Sequence, residues 1–246
     1  MIRAWFFMAS AALVLLGCES KGAEATVVHG SAVDHGRALF SDPGASPSTL
    51  NASACATCHQ AESDATDSRI LPGAALAGVT LRSSFWSGAE NDLLRAVNAC
   101  RTYFMGAQEP WTTEDEEAKA MYAFLAALPP QAPEAQGFTW EPAAYDLPAG
   151  DATRGGDVYA RSCLSCHGAV HTGQGRLTER APILPEDSIA YFESIGFDAT
   201  ERRIVFVEKV RHGGFFGLFG SMPLYASDVL SDEELSDALA FMGMYP

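Results

Sequence analysis

Cys55-Ala-Thr-Cys-His59 and Cys163-Leu-Ser-Cys-His167 are two copies of one pentapeptide, Cys-x-x-Cys-His, in a chain of 246 residues. A disulfide, a zinc site and a thioredoxin-like redox pair can each be built from two cysteines at this spacing. None of the three explains why a histidine follows the second cysteine directly in both copies. The recurrence of the whole pentapeptide therefore indicates a chemistry that uses both thiols and the imidazole together.

Covalent attachment of haem c uses all three of these side chains. Two thiols on one helical turn can each add to a vinyl group of the same haem, and the histidine that follows reaches the iron from one face. We therefore predict two covalently bound haem c groups. The predicted attachment residues are Cys55 and Cys58 for the first haem and Cys163 and Cys166 for the second. His59 and His167 are the predicted proximal ligands of the two haem irons.

The N-terminus has the pattern of an export signal. Arg3 is the only charged residue before position 18, and the apolar run from Ala4 to Leu16 is too short to span a bilayer comfortably. Its ending, Leu-Leu-Gly-Cys18, resembles the lipobox of bacterial lipoproteins, in which cleavage precedes the cysteine and the thiol is lipidated. The resemblance implies a lipoprotein signal peptide over residues 1–17 and lipidation of Cys18. An ordinary signal peptide with a coincidental cysteine is the alternative.

Residues 18–32 have little apolar content and predict a flexible tether between lipid and fold. Haem attachment of this kind takes place outside the cytoplasm, which agrees with an export signal. Two or more acyl chains give stable anchoring, whereas one does not. We therefore predict a location on the periplasmic side of a bacterial membrane, where a lipid anchor holds the protein.

The chain is acidic, with 31 Asp and Glu against 16 Lys and Arg and a net charge of −15. A negative surface disfavours nucleic acid and anionic lipid, and it attracts partners of the opposite charge. We predict redox partner proteins with basic docking surfaces and no nucleic-acid partner. Solubility alone would account for the same composition.

An internal repeat surrounds the two pentapeptides. Gly36-Arg-Ala-Leu-Phe40 precedes the first and Gly155-Gly-Asp-Val-Tyr159 precedes the second, each with an aromatic residue four positions after the first glycine. The first half has an insertion between the aromatic residue and the first cysteine, over residues 41–54. Its Ser, Pro and Gly content predicts a surface loop.

Each half also has the sequence of two further helices. Capping-box patterns at Thr113-Glu-Asp-Glu and Ser231-Asp-Glu-Glu predict the start of a last helix in each half. Apolar periodicity predicts an earlier helix over residues 91–103, and a second one that Thr200 caps and that ends at Gly213-Gly214.

The first-helix pattern that leads into the haem turn resembles class I cytochromes c. The resemblance implies an all-α protein of two tandem class I cytochrome c domains, over residues 33–128 and 151–246. Five prolines and little periodicity predict a Pro-rich linker between them at residues 129–150.

The sixth iron ligand decides the function of such a protein. Gly220-Ser-Met222-Pro223 precedes the last helix and resembles the methionine loop of class I cytochromes, which implies Met222 as the distal ligand of the second haem. Met105 lies at a similar distance before Thr113 and is the corresponding prediction for the first haem. A thioether ligand favours ferrous iron and suits electron carriage.

Cys100 leaves the first haem open to a second interpretation. The segment Val97-Asn-Ala-Cys100-Arg101 resembles the Asn-x-Cys segment of thiosulfate dehydrogenases and related sulfur-oxidation cytochromes. The resemblance implies Cys100 as the distal ligand of a catalytic first haem and Arg101 as a site for an oxyanion. A small buried side chain on a helix face is the structural alternative for Cys100.

We predict a dihaem cytochrome c that carries single electrons between redox partners. The alternative is a thiosulfate dehydrogenase-like oxidoreductase that acts on a sulfur anion at the first haem. A dihaem peroxidase is a further alternative, and it would need one haem with an open or displaceable distal position.

Overall fold

The computed structural model describes residues 31–48, 52–61, 67–129, 139, 146–216 and 221–244. Within these ranges the regular structure is helical, and the one β pairing is an isolated bridge between Phe85 and Glu90. The prediction of an all-α fold is confirmed. The predicted signal peptide, Cys18 and nearly all of the predicted tether lie outside the described residues.

The α-helices of the described ranges are, in chain order, α1 (Ala32–Ser41), α2 (Cys55–Cys58), α3 (Leu93–Tyr103), α4 (Glu116–Ala127), α5 (Ala152–Ser162), α6 (Leu164–His167), α7 (Glu186–Ser194), α8 (Ala199–Phe216) and α9 (Asp232–Phe241). Short 3-10 turns occupy Pro43–Ala45, Val79–Leu81 and Trp86–Gly88. The sequence did not predict α7.

The predicted start of α9 is confirmed, and that of α4 is wrong. At α9 the Glu234 amide donates to Ser231 Oγ (3.2 Å), and the Ser231 amide donates back to the Glu234 carboxylate (2.9 Å). At α4 no capping box forms at Thr113, and the helix begins at Glu116 with Asp115 at the N-cap. The Asp115 carboxylate instead accepts the Thr112 amide at 2.6 Å, which closes a turn ahead of the helix.

The predicted start of α8 is also wrong by two residues, whereas its end is confirmed. Thr200 lies inside the helix. Asp198 and Glu201 form the reciprocal pair at the helix start, each accepting the other's amide, at 2.9 and 2.8 Å. Gly213 has φ 57° and ψ −137°, which interrupts the helix where the glycine pair predicted its end.

The first and last helices of each half cross at very close range. α1 packs on α4 and α5 packs on α9. A Cβ placed on Gly36 would lie 2.0 Å from the Ala120 carbonyl oxygen, and one on Gly155 would lie 1.9 Å from the Asp237 carbonyl oxygen. The glycines of the repeat therefore mark the two crossing points, because only a residue without a Cβ fits there.

Two hydrophobic clusters fill the space around these crossings. The first cluster is built from the first half and comprises Leu39, Phe40, Ala45, Val79, Ala120, Met121, Phe124, Leu125 and Leu128. The second cluster comprises Ile70, Val158, Tyr159, Leu184, Phe206, Val207, Val210, Tyr225, Leu230, Leu235, Ala238, Leu239 and Met242. The second cluster takes one residue, Ile70, from the first half of the chain.

The insertion at residues 41–54 is not simply a surface loop. Among its described residues Ala45 and Ala54 are buried, and Ser46 has no exposed surface. The insertion therefore contributes to the interior of the first half, which corrects the sequence prediction.

Most of the predicted linker at residues 129–150 lies outside the described residues. Thr139 is described, and both its amide and its hydroxyl donate to the Asp228 carboxylate, at 2.7 and 2.9 Å. One point of the segment between the halves is thereby fixed to the second half.

Candidate haem sites

The first pentapeptide folds as one helical turn, α2. Cys55 and Cys58 are three positions apart, so this turn places their side chains on the same side of the helix. His59 follows directly, and its Nδ1 lies 2.8 Å from the carbonyl oxygen of Ala74. A second bond, from the Gly73 amide to the Cys58 carbonyl (2.9 Å), holds the returning chain against the motif.

Gly73 lies in direct contact with the imidazole of His59. A Cβ on Gly73 would stand 2.3 Å from His59 Cε1 and 2.4 Å from Nδ1. Real Cβ atoms do not approach other atoms within 3.0 Å. The absence of a side chain at position 73 is therefore what allows His59 to keep its orientation.

The second pentapeptide repeats this geometry. α6 carries Cys166 and His167, with Cys163 at its N-cap. His167 Nδ1 lies 3.0 Å from the carbonyl oxygen of Pro182, so both histidines meet a carbonyl fifteen positions further along the chain. Tyr159, the aromatic residue of the repeat, donates its hydroxyl to the carbonyl of Gly168 at 2.9 Å and fixes the turn after the motif.

These bonds define the protonation state of both histidines. A carbonyl oxygen only accepts, so Nδ1 carries the proton and Nε2 keeps its lone pair. Burial lowers the pKa of His59 and of His167, against the opposing effect of the carbonyl bonds. Neutral imidazoles that donate Nδ1–H to a backbone oxygen and offer Nε2 are oriented as metal ligands.

The motif cysteines are free thiols in the structure, which does not favour the disulfide interpretation. Burial raises the pKa of Cys55 and of Cys163 to about 11, and that of Cys58 to about 12. The thiols and imidazoles therefore fit covalent haem attachment at both motifs, and at the first motif Gly73 leaves room for the imidazole. In the described ranges, no group of three or more His, Cys, Asp or Glu side chains is arranged so that it could hold a metal ion directly.

Met105 lies in the loop after α3 and is 4% exposed. Its Sδ accepts a hydrogen bond from Ser46 Oγ at 3.8 Å, and Ser46 Oγ itself accepts one from Arg101 Nε at 3.2 Å. Because a guanidinium can only donate, the hydroxyl proton of Ser46 is left to point at the sulfur. The insertion thus fixes the position of Met105, a role that the sequence did not predict for Ser46.

The side chain of Arg101 is buried and engaged on all sides. Its Nη1 donates to Asn98 Oδ1 (3.1 Å) and to the Glu109 carbonyl (3.3 Å), and its guanidinium lies 3.8 Å above the centre of the Trp111 ring. With the bond to Ser46, these contacts tie α3 to the loops on either side of it. Arg101 therefore stabilises the packing of this region, and few of its N–H groups remain to bind an oxyanion.

Cys100 lies on α3 and is partly buried. Burial raises the pKa of the Cys100 thiol to about 12, and the neighbouring sulfurs of Cys55 and Cys58 add to this rise. The sulfurs of Cys55 and Cys58 are therefore near enough to Cys100 to act on it electrostatically. The high pKa describes a protonated thiol and not a free nucleophile.

Met222 is partly buried and packs against the second cluster, as does Cys163. The Met222 carbonyl accepts the Gly214 amide at 2.8 Å. A Cβ on Gly213 would lie 2.6 Å from the same carbonyl, so the loop runs directly over the end of the regular part of α8. Gly220, part of the predicted methionine loop, lies outside the described residues.

The comparisons with known proteins agree with this geometry for the second half. Residues 150–242 match the family described as cytochrome C oxidase, cbb3-type, subunit III. They form a cytochrome c domain. Such a domain carries covalently bound haem c, and the Cys163–His167 motif lies inside its bounds.

Outside this cytochrome c domain the comparisons are weak. No curated protein matches the chain in sequence. Among solved structures, the chain is similar to thiosulfate dehydrogenase (TsdBA) from Marichromatium purpuratum, with 18% identity, a TM-score of 0.41, and coverage of 86% of this chain and 45% of that one. The chain thus spans less than half of that protein, and a similarity this weak does not establish a common function.

The cytochrome c domain and the described part of the first half hold no helix that is both long enough and apolar enough to cross a membrane.

Proposed function

We propose that this chain is a dihaem cytochrome c, anchored by lipid at Cys18 on the periplasmic side of a bacterial membrane, that carries single electrons between redox partners. The observation that carries the proposal is the repeated proximal geometry: both motif histidines donate Nδ1–H to a carbonyl fifteen positions later. The second of these lies in a cytochrome c domain.

The surroundings of the first motif support a second domain of the same kind over residues 33–128. Gly36 places α1 across α4 as Gly155 places α5 across α9. Phe40 packs on Phe124 with ring centres 5.4 Å apart, and Tyr159 packs on Phe241 at 5.7 Å. The same packing of first and last helices around each motif is what two tandem domains require.

Bound haem supplies an iron that takes up one electron and releases it again. The residues of the chain hold that group and set its potential. Two cysteines would attach each haem, Cys55 and Cys58 the first and Cys163 and Cys166 the second, and His59 and His167 would each offer Nε2 to one iron. Met105 and Met222 are the proposed distal thioether ligands, which favour the ferrous state. Buried apolar surroundings keep water away and limit the rearrangement that accompanies a change of charge.

Electron carriers make small, transient contacts with their partners. The net charge of −15 favours partners with basic docking surfaces and disfavours nucleic acid. Export and lipidation would hold the carrier near membrane-bound partners.

Replacing each distal methionine in turn tests the carrier function. In Met105→Leu the near-infrared charge-transfer band between methionine sulfur and ferric iron should fall by about half, and Met222→Leu should remove the other half. The potential of the affected haem should fall, because the thioether no longer stabilises ferrous iron. Leucine keeps the volume and the burial, so a change in folding is not the cause. A full-strength band in Met105→Leu would contradict the assignment at the first haem.

One observation favours a second candidate, an oxidoreductase that acts on a sulfur anion at the first haem. Cys100 lies close enough to Cys55 and Cys58 for their sulfurs to raise its pKa, so it is a rival distal ligand to Met105. Against this function, the guanidinium of Arg101 is largely engaged by its own loops.

Replacing Cys100 by glycine separates the two candidates. For an electron carrier with Met105 as ligand, Cys100→Gly should leave the electron paramagnetic resonance signal of the first ferric haem unchanged, apart from a loss of stability. For a thiolate-ligated catalytic haem, the signal should change from that of His/Cys to that of another ligation. Cys100→Ala is the matched control for the helix-weakening effect of glycine.

A further inference from the structure

A short segment of the first half, far from the linker in sequence, is bound to the second half. The amide of Ile70 donates to the carbonyl of Arg161 at 2.9 Å, and Arg161 Nε donates back to the carbonyl of Ser68 at 2.7 Å. The Ile70 side chain is 7% exposed and belongs to the second cluster. Ser68 to Leu71, named here the anchor segment, is therefore held by two hydrogen bonds and a buried apolar side chain.

The anchor segment meets the second half beside its haem motif. Arg161 lies in the last turn of α5, two positions before Cys163. The next residue, Ser162, accepts a hydrogen bond at its carbonyl from the hydroxyl of Tyr225 at 2.8 Å. The anchor is thus attached to the backbone that presents the attachment cysteines.

The chain that follows the anchor segment holds the first haem motif. Gly73 donates its amide to Cys58, and the carbonyl of Ala74 accepts Nδ1–H of His59. Ala74 is four positions after Ile70, and four steps of fully extended chain reach at most about 14 Å. The anchor in the second half and the carbonyl that orients the first proximal histidine are therefore joined by a short, fixed length of chain.

We propose that Ile70 is a positioning residue that fixes the separation and orientation of the two haem sites, so that one electron passes directly between the two irons. This inference rests on the proposed dihaem function. In each exchange one iron is oxidised and the other is reduced by the same electron, and no bond or proton changes. The two halves then act as one unit, with electrons entering at one haem and leaving at the other.

The side chain, more than the hydrogen bonds, carries this role. The bond between Arg161 and Ser68 lies near the surface, where water competes for both groups. Ile70 instead packs in the interior of the second cluster, and its truncation to alanine removes buried apolar contacts and leaves a cavity there.

The test uses the full holoprotein and the variant Ile70→Ala. The distance distribution between the two ferric irons is measured by pulsed electron paramagnetic resonance, and the internal exchange rate is measured after flash reduction of one haem. We expect one narrow distribution in the wild type, and a broader or longer one in Ile70→Ala, with internal exchange slowed severalfold. Ile70→Val keeps most of the apolar volume and should restore both.

Val207→Ala is the matched control, because Val207 is also buried in the second cluster but belongs to the second half. It should weaken the second half without changing the iron–iron distribution. An unchanged distribution in Ile70→Ala, or an equal broadening in Val207→Ala, would overturn the inference. If Ile70→Ala fails to retain haem, Ile70→Thr replaces it, since threonine keeps the β-branched shape and weakens only the apolar contact of this side chain with the second cluster; broadening relative to Ile70→Val then supports the inference and no broadening overturns it. Haem content and the spectra of the methionine variants test the dihaem function separately.

Discussion

The Gly73→Ala variant is expected to lose the proximal histidine of the first haem while the second haem keeps its own. The new Cβ would stand 2.3 Å from His59 Cε1, 2.4 Å from Nδ1 and 2.8 Å from the Cys58 carbonyl oxygen. Two of these atoms belong to the imidazole and one to the backbone, so only a displacement of the ring itself or of the backbone relieves the contact. The imidazole has to move. Its hydrogen bond to the Ala74 carbonyl is then lost, and Nε2 no longer points in the direction that iron ligation requires.

The measurement for Gly73→Ala is electron paramagnetic resonance of the ferric protein, which records each haem separately. About half of the low-spin signal should convert to a high-spin or altered signal. Gly88→Ala is the matched control, because Gly88 lies in the same half at φ 88° with nothing within 4 Å of its Cβ position. That control should cost about 1–2 kcal/mol of backbone strain and leave the spectrum unchanged. A wild-type spectrum for Gly73→Ala would show that Gly73 does not determine the orientation of the His59 imidazole.

Alanine at either helix crossing is expected to destabilise its half strongly. In Gly36→Ala the Cβ would lie 2.0 Å from the Ala120 carbonyl oxygen, and in Gly155→Ala it would lie 1.9 Å from that of Asp237. Both contacts are with backbone, so the helices must separate. We expect a loss of about 3 kcal/mol or more in the free energy of unfolding, which outweighs the gain of about 1 kcal/mol in helix propensity that alanine brings.

Gly156→Ala is the control for the crossings. Gly156 lies on the same helix as Gly155, and its Cβ would stand 3.3 Å from the tip of the Phe241 ring, which can shift. Denaturant unfolding followed by circular dichroism should place Gly156→Ala near the wild type and Gly155→Ala far below it. Equal stabilities for the two variants would contradict the close crossing of α5 and α9.

The sequence predicted the parts of the structure that depend on local chemistry. The Cys-x-x-Cys-His turns, the glycine and aromatic repeat and the Ser231 capping box all follow from side chains within a few positions of one another. The start of α8 did not, because Asp198 and Thr200 are both competent caps within one turn. Asp198 is used because Glu201 returns its hydrogen bond, a choice that propensity alone does not determine.

Contacts between distant segments account for what the sequence missed. Ser46 lies in a Ser- and Pro-rich stretch that is typical of a surface loop, yet it is fully buried between Met105 and Arg101. Ile70 stands beside Leu71 at the end of a polar stretch, with no periodic pattern around it, and only the fold reveals that it enters the core of the other half. The carbonyls of Ala74 and Pro182 carry no side-chain signal at all, although their equal spacing from the two histidines was available in the sequence.

The number of haems bound covalently to one chain tests the central claim most directly. Intact-mass measurement of the denatured protein, produced with a cytochrome c maturation system, is expected to give the chain plus two haem groups. The Cys55→Ala/Cys58→Ala variant should carry one haem, and so should Cys163→Ala/Cys166→Ala. A wild-type chain with a single haem, or a first-motif variant that still carries as many haems as the wild type, would contradict the account.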